Sequence, residues 1–418
     1  MSAPSGRPDP APPLAEFVRH PRSAFMMVTT YDNFHRRVGG ARVKPLLDGV
    51  RVVDLSRVLA GPFAGRVFVE MGARVVKVEY GRGDPAHEIG PHRGARSLYY
   101  SSLNSGKELM SLDLRRPEDR HALEGLLADC DVLLNNQRPS VAAALGLDPA
   151  RLLERHPQLI VTTIGGYAMS GDRSEEGAFD LTMQAEAGIM SVTGERGRPP
   201  ARAGVPISDL TAGMWAVAGT LGALFARERD GFGRHIEIPM LDATLSLLSY
   251  VGTTALATGV DPEPVGAGHH NAGPYGAYEA RDGWIVIAAL SDKLWRGLCD
   301  ALDLPELAAR DDLATNRGRA RALHEIDSAV AAKVGGLTRE QAMDALRGAG
   351  VPHAPVNSVI EALTAPYVRT RGTVQTIDAP EGSYDVVTSP LIEEGVRLSP
   401  APALGRPPSG AVTRTADD

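Results

Sequence analysis

Cysteine is nearly absent: the 418 residues hold two, Cys130 and Cys299, with no Cys-x-x-Cys pair. That excludes a disulfide framework and fits a reducing cytoplasm. Aromatic residues make up only 5% of the chain. No basic run interleaves with them, so nucleic acid is not expected as a partner, and the net charge of −7 points the same way. No uninterrupted apolar run reaches the ~18 residues that span a bilayer. Met1 to Pro13 lacks the basic-then-apolar order of a signal peptide, so no membrane partner is expected either. Spaced Cys/His clusters and His-Glu-x-x-His are missing, and the adjacent His269 and His270 point apart in an extended chain. No metal site is expected. A Gly-x-Ser-x-Gly hydrolase elbow is missing too.

Glycine (45) and proline (31) are plentiful, and 43% of the residues are hydrophobic. This suits one large and one small domain with many turns. Residues 1–46 read as an extension, Pro-rich and disordered over the first 13, with an apolar stretch from Ala15 to Tyr31 suited to docking on a partner subunit. Regular patterning begins at Leu47-Asp-Gly. Arg51-Val-Val-Asp-Leu55 reads as a buried strand, Phe63 to Met71 as a helix and Arg74-Val-Val-Lys-Val-Glu79 as a second strand. Together they form a βαβ unit and imply a parallel sheet. A helix from Pro117 to Asp129, a strand at Val132-Leu-Leu134, a helix from Asp148 to Glu154 and a strand at Leu159 to Thr163 continue the alternation. Met240 to Ala257 reads as one long apolar helix crossing between domains. The Asp282-Gly283 turn, the strand Trp284 to Ala289 and helices near 292–302, 322–334 and 338–348 mark a smaller α+β domain. The division expected is therefore 1–46, 47–245, 246–350 and 351–418, the last part returning to the large domain and ending in a mobile tail.

The first βαβ turn, Val58-Leu-Ala-Gly61-Pro62, is not the Gly-x-Gly-x-x-Gly dinucleotide fingerprint, and Pro62 removes an N–H that could meet a phosphate. Glu79 occupies the place of a ribose-binding acid, which is weak evidence alone. Two carboxylates stand out instead. Asp209, in Gly204-Val-Pro-Ile-Ser-Asp209, opens a helix rich in small residues, where the helix N-terminus favours an anion. Read locally, Ser208 or Asp209 simply caps that helix; an ionised Asp there also suits attack on an acyl carbonyl. Asp180 lies in Gly177-Ala-Phe-Asp180-Leu-Thr-Met-Gln184.

Taken in order, Leu47-Asp-Gly-Val-Arg-Val-Val-Asp-Leu-Ser-Arg-Val-Leu-Ala-Gly-Pro62, Met71-Gly-Ala-Arg-Val-Val-Lys-Val-Glu79, Ser111-Leu-Asp-Leu-Arg115, Gly177-Ala-Phe-Asp180 and Gly204-Val-Pro-Ile-Ser-Asp209 resemble the family III CoA-transferases, the carnitine and formyl-CoA transferase group. The resemblance implies an α/β fold with a Rossmann-like large domain and a smaller α+β domain, in an interlocked homodimer. It implies an enzyme that moves CoA from an acyl-CoA to a free carboxylic acid through an aspartyl anhydride and an aspartyl-CoA thioester. Asp209 falls on the catalytic position, with Phe179, Asp180 and Gln184 as neighbours. CoA is a substrate, and no cofactor is implied. The family's CoA contacts fall on Val58, Leu59, Ala60, Tyr80, Leu112, Arg115, Asn136 and Gln137. Several depart from the family pattern: Tyr80 and Ala144 stand at positions often basic, and Gln137 replaces an aromatic. The loop Gly266 to Gly273 lacks the glycine run of oxalate-using members, which argues against oxalate as acceptor.

The same fold houses α-methylacyl-CoA racemases, which use a His immediately before the Asp matching Asp180. Here that position is Phe179, which carries no exchangeable proton, so transferase chemistry is favoured. A non-catalytic CoA-binding subunit is the remaining alternative, and the retained Asp209 argues against it.

Overall fold

The computed structural model describes residues 44–270, 272–393 and 395–403. The expectations for the N-terminal extension up to residue 43 and for the tail from residue 404 lie outside these residues. Six strands form one parallel sheet: β1 (Arg51–Asp54), β2 (Arg74–Tyr80), β3 (Glu108–Leu112), β4 (Val132–Asn135), β5 (Ile160–Gly165) and β6 (His235–Pro239). Their spatial order is β3-β2-β1-β4-β5-β6. This is the doubly wound order, in which the direction of progression reverses between β1 and β4, and such a reversal opens a crevice at the carboxyl ends of the strands.

Strand alternation explains why both faces are covered. Val52, Val75, Leu134 and Ile160 point into one apolar cluster. Val53, Val76, Leu133 and Val161 point into another on the opposite face, as the period of two requires. The first cluster holds α1 (Ala60–Glu70), Met183 of the short helix α3 (Asp180–Glu186) and the long helix α4 (Ile207–Asp230). The second takes Leu123 and Leu127 from α2 (Pro117–Asp129). Glycines let α4 approach closely: a Cβ at Gly213 would sit 2.7 Å from the carbonyl oxygen of Ala60, so the start of α1 packs directly on the second turn of α4.

Residues 275–355 build a separate apolar cluster. There β7 (Tyr275–Ala280) and β8 (Gly283–Ala288) pair antiparallel through a two-residue turn, and β8 also pairs with His353–Pro355. Ile285, Ile287, Trp295, Leu298, Ile326, Val330 and Leu346 fill its centre.

Two expectations are corrected. The stretch from Met240 is not one helix: Met240–Leu245 gives way to a short 3₁₀ turn at Ser246–Leu248, and a new helix, α5 (Ser249–Thr258), follows. Ser249 has φ 43°, outside the helical region. Thr244 and Ser246 donate their hydroxyls back to the carbonyls of Met240 and Ala243, a competition with the helix ladder that favours such breaks. The second correction concerns bilayer-length segments. By length and composition alone, Ile207–Asp230 is long and apolar enough to cross a membrane, as is the stretch Met240–Thr258 when counted across its 3₁₀ break. The first of them is packed against α1 inside the fold.

Candidate active site

The turn from β1 to α1 forms one wall of the crevice. Val58 within it has φ 69°. A β-branched residue in this left-handed region is a steric outlier, costing on the order of 1–3 kcal/mol. Three sets of bonds hold the turn. The Asp84 carboxylate accepts the Val58 N–H at 3.0 and 3.2 Å. Asn136, at the end of β4, pairs reciprocally with the Arg57 backbone, accepting its N–H at 2.9 Å and donating to its carbonyl at 2.8 Å. Asp54 accepts the Ser56 N–H at 2.9 Å. Gly61 is required here, since a Cβ would fall on the Ser56 side chain.

Beneath this wall lie two fully buried ion pairs, Lys77–Asp84 at 2.9 Å and Lys107–Asp54 at 2.8 Å. Burial pulls the Asp84 carboxyl up, but the Lys77 charge and its hydrogen bond overcome this and hold it below the usual carboxylate range. Burial also works against the charge on Lys77, and Asp54 and Asp84 outweigh it, leaving that ammonium above its usual value. Lys77 donates as well to the carbonyl of Ser56, so one cation ties the turn at both ends. Glu79 is committed within the fold: it accepts the Tyr100 hydroxyl at 2.8 Å and bonds His87 at 2.9 Å. It is not a free ribose-binding acid.

Asp209 enters from the opposite wall. It is the third residue of α4, not its cap, and the helix has no side-chain cap of its own. Ser208 is fully buried and its hydroxyl makes no hydrogen bond. Capping comes from elsewhere: Asp180 accepts the Ser208 N–H at 2.8 Å, satisfying a donor that every helix start leaves open. The other Asp180 oxygen accepts from Gln184 at 2.6 Å, and Gln184 in turn accepts the Ala203 N–H at 2.8 Å. These bonds pin the 203–208 segment that delivers Asp209. Among the described residues no cation is paired with Asp180 or Asp209. Burial, and then the charge of Asp180, push the Asp209 carboxyl up to about 7. Tyr99 senses the same charges: burial and then Asp209, with Asp84 and Asp180 adding, raise its phenol to about 12.

Between the walls lies a cleft of about 400 Å³ at the sheet's reversal point. Of the residues singled out in the sequence, it brings together Val58, Leu59, Ala60, Asn136, Gln137, Phe179 and Asp209. Phe179 is 73% exposed. Asp180 and Gln184 stand behind Asp209, holding its segment. Three of the other residues are not part of the cleft lining. Leu112 is packed in an apolar cluster. Arg115 is exposed and folds onto Asp113 at 2.7 Å. Tyr80 is half-buried, with the Arg57 guanidinium 5.9 Å from its ring centre. Sequence reasoning did not single out Arg57, Arg138, Asp84 or Tyr99. Arg57 and Arg138 line the cleft, and both lie beside motif residues in the chain. Asp84 and Tyr99 come from loops and a helix beyond β2, and no local pattern ties them to the site. Among the described residues no cluster of His, Cys, Asp and Glu is arranged to hold a metal ion.

A family model described as CoA-transferase family III matches residues 47–407. An acetyl-CoA:oxalate CoA-transferase from Acetobacter aceti is 36% identical over 79% of this chain and 86% of that protein. A succinate–glutarate CoA-transferase from Agrobacterium fabrum is 32% identical over 87% of this chain and 94% of its own length. Among solved structures, a CaiB/BaiF family protein from Brucella suis superposes with a TM-score of 0.76 at 31% identity, over 87% of this chain and 97% of that one. A doubly wound sheet, an aspartate-bearing cleft at its reversal point and a family match over nearly the whole described chain lead to one assignment: the chain belongs to CoA-transferase family III and is an acyl-CoA:carboxylate CoA-transferase.

Proposed function

We propose that Asp209 is the covalent nucleophile, and the observation that carries this is its position, with no paired cation among the described residues, in the wall of the cleft shared with Val58, Leu59 and Ala60. An Asp209 oxygen attacks the thioester carbonyl of the donor. The C–S bond breaks, CoA leaves as thiolate, and a mixed anhydride remains. The thiolate then attacks the aspartyl carbonyl, releasing the donor acid and forming an aspartyl-CoA thioester. The acceptor carboxylate attacks that carbonyl and expels the thiolate again. A last thiolate attack on the acceptor's acyl carbon gives the new acyl-CoA and restores Asp209. Splitting the exchange in this way keeps the thioester's energy in covalent bonds throughout, and water must be excluded while the anhydride exists.

Val58, Leu59, Ala60, Asn136 and Gln137 are the CoA contacts of this reading, with Tyr80, Leu112 and Arg115 toward the nucleotide end. Relatives are named for transfer to or from oxalate, glutarate, mesaconate and D-citramalate. A dicarboxylic acid is therefore the acceptor class proposed here, and one longer than oxalate, given the 266–273 loop. Phe179 lines the cleft where a racemase needs a proton carrier, which supports transfer over racemisation.

The test is mass spectrometry of wild type and Asp209→Ala after incubation with a panel of acyl-CoAs. An acyl or CoA adduct on Asp209, trapped by hydroxylamine or borohydride, is expected in wild type alone. The variant is expected to lose at least 10³-fold in CoA exchange, the scale of losing a nucleophile. Exchange that survives in Asp209→Ala would overturn the assignment.

The interlocked homodimer is proposed on the apolar surface left open. α5 has no buried residue, and Leu256, Phe225 and Phe232 are 89%, 68% and 65% exposed. Patches of this kind mark interaction surfaces. Light scattering on the purified protein is expected to give twice the chain mass; a monomer would remove the proposal. A cytoplasmic location is proposed on the two unpaired cysteines, Cys130 and Cys299.

A further inference from the structure

Val58 holds an unfavourable conformation in the very stretch proposed to meet CoA. Among the described residues, only Val58, Ser249 and Asp303 combine a side chain with positive φ, and Val58 alone of these is β-branched. Leu59 is held at the entry to α1, where its carbonyl accepts the Phe63 N–H at 2.8 Å, so relaxation of Val58 to negative φ would turn the Arg57–Val58 peptide instead. Asn136 donates to the carbonyl of that peptide and accepts the Arg57 N–H before it, while Asp54 holds Ser56. Among the described residues, Asp84 is what bonds the N–H side of the same peptide, with both carboxylate oxygens. Asp84 also accepts the Ala86 N–H at 3.0 Å and the Lys77 ammonium at 2.9 Å, so its own orientation is fixed from two further directions.

We infer that Asp84, paired with Lys77, is a positioning residue for acyl-CoA binding: it holds Val58 in the left-handed conformation and so sets the shape of the cleft wall formed by Val58, Leu59 and Ala60. This rests on reading the cleft as the acyl-CoA site. Asp84 itself is not among the residues lining that cleft. It acts through the backbone of Val58.

The test compares the effect of D84N in two backgrounds, wild type and V58G, by calorimetric titration with free CoA and by steady-state kinetics with an acyl-CoA. In the wild-type background D84N is expected to raise the Kd for CoA and the KM for acyl-CoA at least tenfold, with kcat changed less than threefold. Glycine adopts positive φ without help, so in the V58G background the same D84N change is expected to cost less than threefold. An equal penalty in both backgrounds would overturn the inference, as would unchanged CoA affinity in D84N. Because D84N leaves Lys77 buried without its partner, the double replacement K77M/D84L supplies the same comparison with apolar side chains in place of the ion pair, a swap that proteins often tolerate. The same two outcomes decide it. Should wild type bind no CoA at all, the reading of the cleft fails, and that result is visible before any variant is compared.

Discussion

The two walls of the cleft use the same residue type in opposite ways. Asp54 and Asp84, under the β1–α1 turn, are each matched to a buried lysine, and Asp84 is held below the ordinary carboxylate range. Asp180 and Asp209, on the facing wall, have no paired cation among the described residues, and Asp209 is raised to about 7. Burial acts on both walls. What differs is whether a partner charge offsets it. The paired wall is built for rigidity and holds an unfavourable backbone conformation in place. The unpaired wall leaves one carboxylate uncomfortable when charged, and the acylation proposed for Asp209 would relieve it.

Breaking the paired wall should have the largest effect on the fold. Lys107→Ala leaves Asp54 buried without its hydrogen-bonded cation, with only the more distant Lys77 charge, and removing one member of a buried pair typically destabilises by about 3–5 kcal/mol. Urea denaturation is expected to show that loss. A change under 1 kcal/mol would mean that water or a rearranged partner satisfies Asp54, and the contrast between the walls would weaken.

The smaller effect is expected on the unpaired wall. Asp180→Asn keeps an acceptor for the Ser208 N–H while removing the negative charge beside Asp209. In the proposed mechanism Asp209 attacks as the carboxylate, so the rate of CoA exchange should fall as pH drops through its pKa, near 7 in wild type. Removing the like charge lowers that pKa, and the acid limb of kcat/KM should move to lower pH. Burial is the larger cause of the shift, so the movement should be partial, at most about one unit or ~1.4 kcal/mol. A limb that stays in place would show that burial alone sets Asp209; a limb that moves up would contradict the sign of the Asp180 interaction.

Much of the sheet was legible from the residues alone. Val52-Val53, Val75-Val76 and Leu133-Leu134 are short apolar runs closed by turns, and each became a strand buried on both faces. The Pro117–Asp129 helix begins at its proline, as the N-terminal preference for proline predicts. Asp209 stood out because it belongs to an ordered series of motifs. The break at Ser246–Leu248 was not legible, since it depends on hydroxyls that choose the helix carbonyls over solvent. The local reading of Ser208 or Asp209 as a cap also failed: the cap is Asp180, on a different helix, and only packing brings it to the Ser208 N–H.

The sequence by itself determined the alternating elements, the parallel sheet they imply and the aspartate offered for chemistry, because periodicity, turn residues and motif order are properties of neighbours along the chain. The tertiary structure alone decided which charges have partners. Lys107 reaches Asp54, Asp84 reaches Val58 and Asp180 reaches Ser208 across folds of the backbone. Burial and Coulomb interaction act through space, and they hold one aspartate down beside a lysine and push another up beside a like charge, from the same side chain.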